Sequence, residues 1–281
     1  MRKTLVAVFL ALAATVGAGC ATASVRGAEK AVATALISTE EENQLGAQMH
    51  QELQKQGIRY STDPVVTKYV EDIARPIIEQ ARRDRPDVKW HIFVVDTPEV
   101  NAFATAGGYL YVQTGLIRAV RNDAELAGVL AHEAGHVTAR HVARALVQQY
   151  GLQAVAGLAL GENPSQLQQL GAAVLANGAM LHHSRAQESE ADEYGARYAR
   201  AAGFDPNGLI SFFNTLRQQS GDTPALLTWL SSHPATGDRI AHLQQYIAEH
   251  NLRGGAINRT NELTAAQQRL GGTTATGGSG K

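Results

Sequence analysis

The 281-residue sequence predicts a mainly helical α+β domain with one small β-sheet. Long stretches carry apolar residues at helical spacing, while the segments 88–95 and 109–114 read as strands. In chain order the strands come directly before the longest helical stretch, so the sheet is expected to lie beside that helix.

Residues 1–19 read as a secretory leader. Met1-Arg2-Lys3 supplies the charged start, Leu5 to about Val16 the apolar core, and small residues follow. Cys20 after Gly17-Ala18-Gly19 resembles the lipidation site of bacterial lipoproteins, although Gly17 stands where a larger aliphatic residue is preferred. Lipidation of Cys20 would attach the chain to a membrane, and Ala21 after it resembles the outer-membrane members. The alternative is cleavage after Ala21-Thr22-Ala23, which releases a soluble periplasmic protein. Residues 20–37 are expected to be a linker and 38–250 one domain.

Within that domain, helices are predicted at about Thr39 to Gln56 and Pro64 to Arg83, then the strand Val88 to Val95. The segment Asn101-Ala102-Phe103-Ala104 and a strand near Tyr109 to Thr114 come next. Asn122 caps a helix from about Asp123 to about Gln149, with Glu125 completing a capping box and Leu126, Val129, Leu130 and Val137 on its apolar stripe. Further helices are expected at about Ser165 to Leu181, from Ser184 to near Gly203, and from near Pro206 and Thr236. The Gly- and Thr-rich stretch 251–281 reads as a disordered tail.

Composition excludes several classes. Hydrophobic residues make up 44% of the chain, ample for a core. Without residues 1–19, 23 basic residues face 26 acidic ones, and no basic stripe with interleaved aromatics suggests nucleic acid. With one Cys the chain has no disulfide pair and must be held by packing. The apolar runs Leu152 to Leu160 and Leu170 to Met180 are interrupted by Gly161-Glu162-Asn163-Pro164. Neither reaches the ~20 residues of a membrane span, so the mature chain is expected to have no transmembrane helix. They read as a buried helical hairpin or, in the sharper alternative, a membrane-resting or mobile flap over a cleft.

The chemistry lies in His132-Glu133-Ala134-Gly135-His136. Two His four residues apart on a helix project from one face toward a single ion, and Glu133 lies beside them as candidate general base. The third ligand is sought in Ser184 to Asp192, another helical stretch. Glu188 and Asp192 share a face, so one carboxylate can bind the ion while the other hydrogen-bonds the far nitrogen of a ligating His. Three protein ligands with an open position describe a catalytic zinc site. A thiolate site is excluded, because the single Cys, Cys20, lies at the leader junction far from the motif.

These segments, His132 to Arg140-His141 and Ser184-Arg185 to Asp192, resemble the HtpX and CAAX prenyl protease family of gluzincin metallopeptidases. The bacterial-envelope branch without tetratricopeptide repeats is the nearer likeness. The resemblance implies a zincin-type fold and one zinc ion per chain, held by His132, His136 and Glu188. It makes Glu133 the catalytic base and Asp192 the partner of His132. Asn101-Ala102-Phe103-Ala104 with Gly107-Gly108 resembles the family's substrate-binding edge strand, and so implies Asn101, Ala102 and Phe103 as contacts to an extended peptide. Ser231-Ser232-His233-Pro234 with Arg239 resembles a loop over the metal. His233 and Arg239 would stabilise an oxyanion, or His233 would plug the fourth zinc position.

His141, five residues after His136, is placed off the ligand face, although Arg140-His141 fits the family resemblance, which implies that it braces the site; at most one of His182 and His183 is expected to line the cleft. His50, His91, His242 and His250 read as structural or exposed. Together these readings imply a zinc endopeptidase of the bacterial envelope acting on extended or misfolded polypeptides. The rival is a factor that holds or assembles outer-membrane proteins without cleaving them.

Overall fold

The computed structural model describes residues 21–149, 173, 183–219, 229–234, 237–255, 257 and 259–271. The leader, Cys20 and, apart from residue 173, the apolar runs after Tyr150 lie outside the described residues.

The elements run α1 (Ala21–Leu36), α2 (Thr39–Lys55), α3 (Pro64–Asp84), β1 (His91–Val95), β2 (Ala102–Ala104), β3 (Tyr109–Gln113) and α4 (Thr114–Ala119). They continue with α5 (Asp123–Thr138), α6 (Arg185–Ala201), α7 (Gly208–Gln219), α8 (Gly237–Glu249) and α9 (Thr260–Arg269). This is the expected mainly helical α+β arrangement. The sheet has the order β1-β3-β2, with β1 parallel and β2 antiparallel to β3.

Local chemistry explains where the elements start. Asp63 caps α3 by accepting from the Val65 and Val66 amides, with Pro64 in the first turn, where a missing N–H costs nothing. Ser38 with Glu41 and Ser184 with Gln187 form capping boxes for α2 and α6. Between β2 and β3, Gly107 and Gly108 have φ of 69° and 85°, a backbone form that glycine adopts without penalty.

The centre of the molecule is α5, in which every residue from Glu125 to Thr138 is buried. It packs against α6, α7, α3 and β2. Gly128 admits the α7 backbone at Leu209, and Gly135 admits the α6 backbone at Ala191. Leu126, Val129 and Leu130 join Phe204, Phe212, Phe213, Leu216 and Trp229 in the main core. Each such side chain contributes roughly 1.5–3 kcal/mol of burial.

Four expectations are corrected. The helix expected to run to Gln149 breaks after Thr138, and residues 141–149 form a separate helical segment. Arg140 lies between them at φ 63°, an unfavourable form for a side-chain-bearing residue. Its guanidinium compensates by binding Glu42 at 3.2 Å and the Ile37 carbonyl. The expected linker after Cys20 is instead α1, whose Ala33 is buried with Ile37, Leu45, Met49, Ala143 and Leu146. The expected disordered tail contains α9, which packs on α3 and α4 through buried Leu263 and Ala266. The first strand begins at His91, three residues later than predicted.

Candidate metal centre

His132 and His136 lie one turn apart on the α6-facing side of α5, and Glu188 lies in the first turn of α6. The close approach at Gly135 brings the two helices near enough for these side chains to meet. His132 Nε2 and His136 Nε2 are 2.9 Å apart. Glu188 places Oε2 3.5 Å from His132 Nε2 and Oε1 3.4 Å from His136 Nε2. All three side chains are buried.

A fourth group joins them. His233 follows the helical residues 229–232 and is held from outside by the Trp229 ring, stacked at 4.9 Å. Its Nδ1 is 3.2 Å from His132 Nε2 and 3.1 Å from both Glu188 oxygens. Ligand atoms of His132, His136, Glu188 and His233 all lie within 4.8 Å of one another. With bonds of about 2.0–2.1 Å to zinc, the corners of a tetrahedron are roughly 3.3 Å apart, and the distances above bracket that spacing. Three imidazoles and a carboxylate sharing so small a volume suit a borderline divalent cation, and the donor set fits zinc.

Groups around the cage fix its orientation. Asp192, one turn after Glu188, accepts from His132 Nδ1 at 2.9 Å. Arg239 grips Asp192 through Nε at 2.6 Å and Nη2 at 2.7 Å, and Glu188 through Nη1 at 2.7 Å. The guanidinium is thus engaged with both carboxylates. Burial alone would lower the His132 pKa, but hydrogen bonds and charge from Asp192 and Glu188 push it up to about 9. Burial and neighbouring imidazoles drive His136 well below the ordinary range. Glu188 is also held well below its ordinary range, since His233 and His132 outweigh the effect of its burial.

Glu133 is buried next to the cage. Its Oε1 finds no hydrogen-bond partner among the described residues, and His233 Nε2 is 3.5 Å away. Burial raises its pKa, the direction that makes a carboxylate a better proton acceptor near neutrality.

The edge strand also takes its expected position. Gln113 donates to the Asn101 carbonyl at 3.0 Å and Thr105 to the Tyr109 carbonyl at 2.8 Å. Alternation along an antiparallel pair then turns the N–H and C=O of Ala102 and Ala104 away from β3. Asn101 is buried, its Oδ1 without a partner among the described residues. Phe103 stacks on Tyr111 at 4.6 Å, on the sheet face shared with Phe93.

Sequence reasoning missed Glu190 and Arg144 beside the site and gave His141 and His183 no defined contacts. His141, expected off the ligand face, lies with Nδ1 2.8 Å from His136 Nδ1, because the break at Arg140 redirects the chain. Glu190 and Arg144 stand behind His141, and the His183 ring stacks on His136 at 3.9 Å. The fit of Arg140-His141 to the family pattern points to a brace, whereas nothing in the sequence singles out Glu190 or Arg144. His182 lies outside the described residues. His50 contacts Tyr111, His91 lies tilted against the Tyr109 ring, His242 pairs with Glu193 and His250 binds the Tyr246 carbonyl.

A small sheet beside a buried His-Glu-x-x-His helix, with an acidic second helix facing it, defines a metallopeptidase of the zincin type. The sequence profile of peptidase family M48 matches residues 64–247, and the chain belongs to that family. It is 30% identical over 188 residues to the beta-barrel assembly-enhancing protease of Yersinia pestis, covering 64% of this chain and 38% of that protein. To the protein of the same name in Escherichia coli K12 it is 27% identical over 216 residues, covering 74% and 44%. To the mitochondrial metalloendopeptidase OMA1 of Schizosaccharomyces pombe it is 30% identical over 187 residues, covering 66% and 55%. The chain therefore spans less than half the length of these bacterial relatives.

Proposed function

We propose that the chain is a zinc-dependent endopeptidase of the gluzincin type, with His132, His136 and Glu188 as the three working ligands. The observation that carries this reading is the convergence of those three buried groups from two helices, with Glu133 beside them and its Oε1 without a hydrogen-bond partner among the described residues. When bound, zinc would supply a Lewis acid that polarises the scissile carbonyl and acidifies a water. Glu133 takes the proton of the attacking water and passes it to the leaving amine. Asp192 and Arg239 hold His132 and Glu188 in place. Ala102 and Ala104 pair with the backbone of an extended polypeptide, and Asn101 and Phe103 lie along the same edge.

Relatives named beta-barrel assembly-enhancing protease support a role in the bacterial envelope, and the task assigned to the chain there is quality control by cleavage of extended or misfolded proteins. Cys20 supports attachment to the outer membrane as a lipoprotein, with a soluble periplasmic form as the alternative. Among the described residues no helix is long and apolar enough to cross a membrane. We divide the chain into a leader over 1–19, a catalytic domain over 38–250, and flanking segments.

His233 favours a second, latent reading of the same site. Its Nδ1 shares the cage with the other three ligand atoms, which suits a resting form in which the fourth position is filled. Substrate then enters only when His233 withdraws from the cage. This latency is also how the protein would behave as a holding factor in assays of intact chain.

Casein and peptide cleavage, with zinc content measured in parallel, tests both readings. Glu133→Gln is expected to lose about 10²–10⁴-fold in turnover with its zinc retained. His233→Ala is expected to cleave faster than wild type. Full turnover by Glu133→Gln would remove the general base, and slower cleavage by His233→Ala would make His233 an oxyanion stabiliser.

A further inference from the structure

The two imidazoles of the cage are supported from behind by different chemistry. His132 Nδ1 meets a carboxylate directly, Asp192 at 2.9 Å. His136 Nδ1 meets another imidazole, His141 Nδ1 at 2.8 Å, with both rings buried. Two nitrogens at that distance share one proton. Its location follows from the cage. His136 presents Nε2 to the other ligand atoms, so that lone pair is the one directed at a metal and its proton belongs on Nδ1. His136 Nδ1–H therefore donates to the lone pair of His141 Nδ1. The proton of His141 is left on Nε2, which is 3.4 Å from Glu190 Oε2.

The arrangement continues outward. Arg144 Nη1 donates to the same Glu190 oxygen at 2.7 Å, and Arg144 Nη2 reaches Glu29 of α1 at 2.6 Å. The His141 ring is buried and turns Nε2 toward Glu190, so Nδ1 is the nitrogen left to accept. The corrected helix break makes the contact possible, since a continuous helix would carry His141 away from His136.

We propose that His141, oriented by Glu190, is a positioning residue that fixes the tautomer of His136 and so sets the affinity of the site for zinc. Through Arg144 and Glu29 the same relay ties one metal ligand to the N-terminal helix. The inference rests on the reading of His136 as a zinc ligand. A metal-bound His needs its far N–H held, both to fix the ring plane and to raise the basicity of the ligating nitrogen. His132 obtains this from Asp192, and His136 obtains it through a neutral intermediary ending on Glu190.

Zinc affinity of the full chain by chelator competition, together with nitrogen NMR of the His136 ring, tests the proposal. In wild type the His136 proton is expected on Nδ1. His141→Phe keeps an aromatic ring but removes the acceptor, and should weaken zinc binding by about 10–100-fold with a mixed His136 tautomer. His141→Asn, whose amide oxygen can stand near the former Nδ1, should recover most of the affinity. Glu190→Gln keeps the side-chain volume and should lose less than His141→Phe. Wild-type affinity in folded His141→Phe, or a wild-type His136 proton on Nε2, overturns the relay. Should His141→Phe fail to fold, unchanged affinity in Glu190→Gln overturns it instead. Undiminished zinc binding by His136→Ala would reject the ligand assignment itself, a different failure.

Discussion

The seams that α5 makes with α7 and with α6 are both buried and both depend on a glycine, yet they are built from opposite materials. Against α7, Gly128 lets backbones touch among Leu126, Leu209, Phe212 and Phe213, so contact area is the source of stability. Against α6, Gly135 and Gly195 permit the same closeness, but the side chains that meet are imidazoles and carboxylates whose desolvation is costly. The first seam is satisfied by packing alone. The second holds like-polarity nitrogens at 2.9 Å, a tolerable arrangement when a cation lies among them or a proton bridges them.

Removing zinc should therefore separate the two seams most widely. At free zinc of about a thousand times Kd, a ligand that binds only the folded state adds roughly 4 kcal/mol. Chelation should lower the thermal midpoint accordingly, with amide exchange accelerating first in α6 while α7 stays protected. Rebinding should release a proton, because metal-free His132 is pushed up to about 9 and must lose its proton to become a ligand. Calorimetric zinc titrations in buffers of different ionisation enthalpy count that proton. A count of zero near neutral pH would contradict the raised His132.

The glycines give the next effect in size. A methyl at Gly128 meets the Leu209 backbone nitrogen, and one at Gly135 meets the Ala191 carbonyl at 2.7 Å. Gly128→Ala is expected to cost about 1–3 kcal/mol in denaturant unfolding and to leave zinc affinity unchanged in the folded protein. Gly135→Ala pushes on the turn between Glu188 and Asp192, and should weaken zinc binding by about tenfold. Equal zinc affinities in the two variants would show that the seams are not functionally distinct.

That division also explains what was legible in the sequence. His132, Glu133 and His136 announce themselves because the helix period puts ligands four residues apart on one face. Glu188 and Asp192 follow for the same reason. His141 and Glu190 were not legible as a unit, since their partners lie 49 residues apart and their meeting depends on the left-handed turn at Arg140. Arg140 in turn takes that form against Glu42, 98 residues away. The helix α9 was hidden because buried Leu263 and Ala266 are too few to overcome a polar, Gly-rich composition. Local periodicity shows ligands on one helix, whereas the groups that orient them are fixed by tertiary contacts.

The smallest effect extends the same contrast to the sheet, whose aromatic face carries His50 and His91 among Tyr60, Phe93, Tyr109 and Tyr111. His50 stacks on Phe93 at 4.4 Å and its Nδ1 lies 3.0 Å from the Tyr111 hydroxyl. Burial lowers its pKa and the His91 charge adds to this; burial also lowers His91, with Lys89 adding. Between those lowered values and the ordinary ~6.5, the unfolded chain binds more protons than the folded one. Their stabilising contribution is complete above about 6.5 and is lost as pH falls through the folded values. His132 behaves in the opposite sense, its metal-free contribution being complete below about 6.5 and lost as pH rises toward about 9. His136 and His141 share the sign of His50, so a whole-protein curve does not isolate the aromatic face. The gap in urea midpoint between wild type and His50→Phe does, because the other groups are common to both. That gap should shift toward the variant as pH falls from about 7 to about 5, and a gap independent of pH would mean that His50 titrates alike in the folded and unfolded chains.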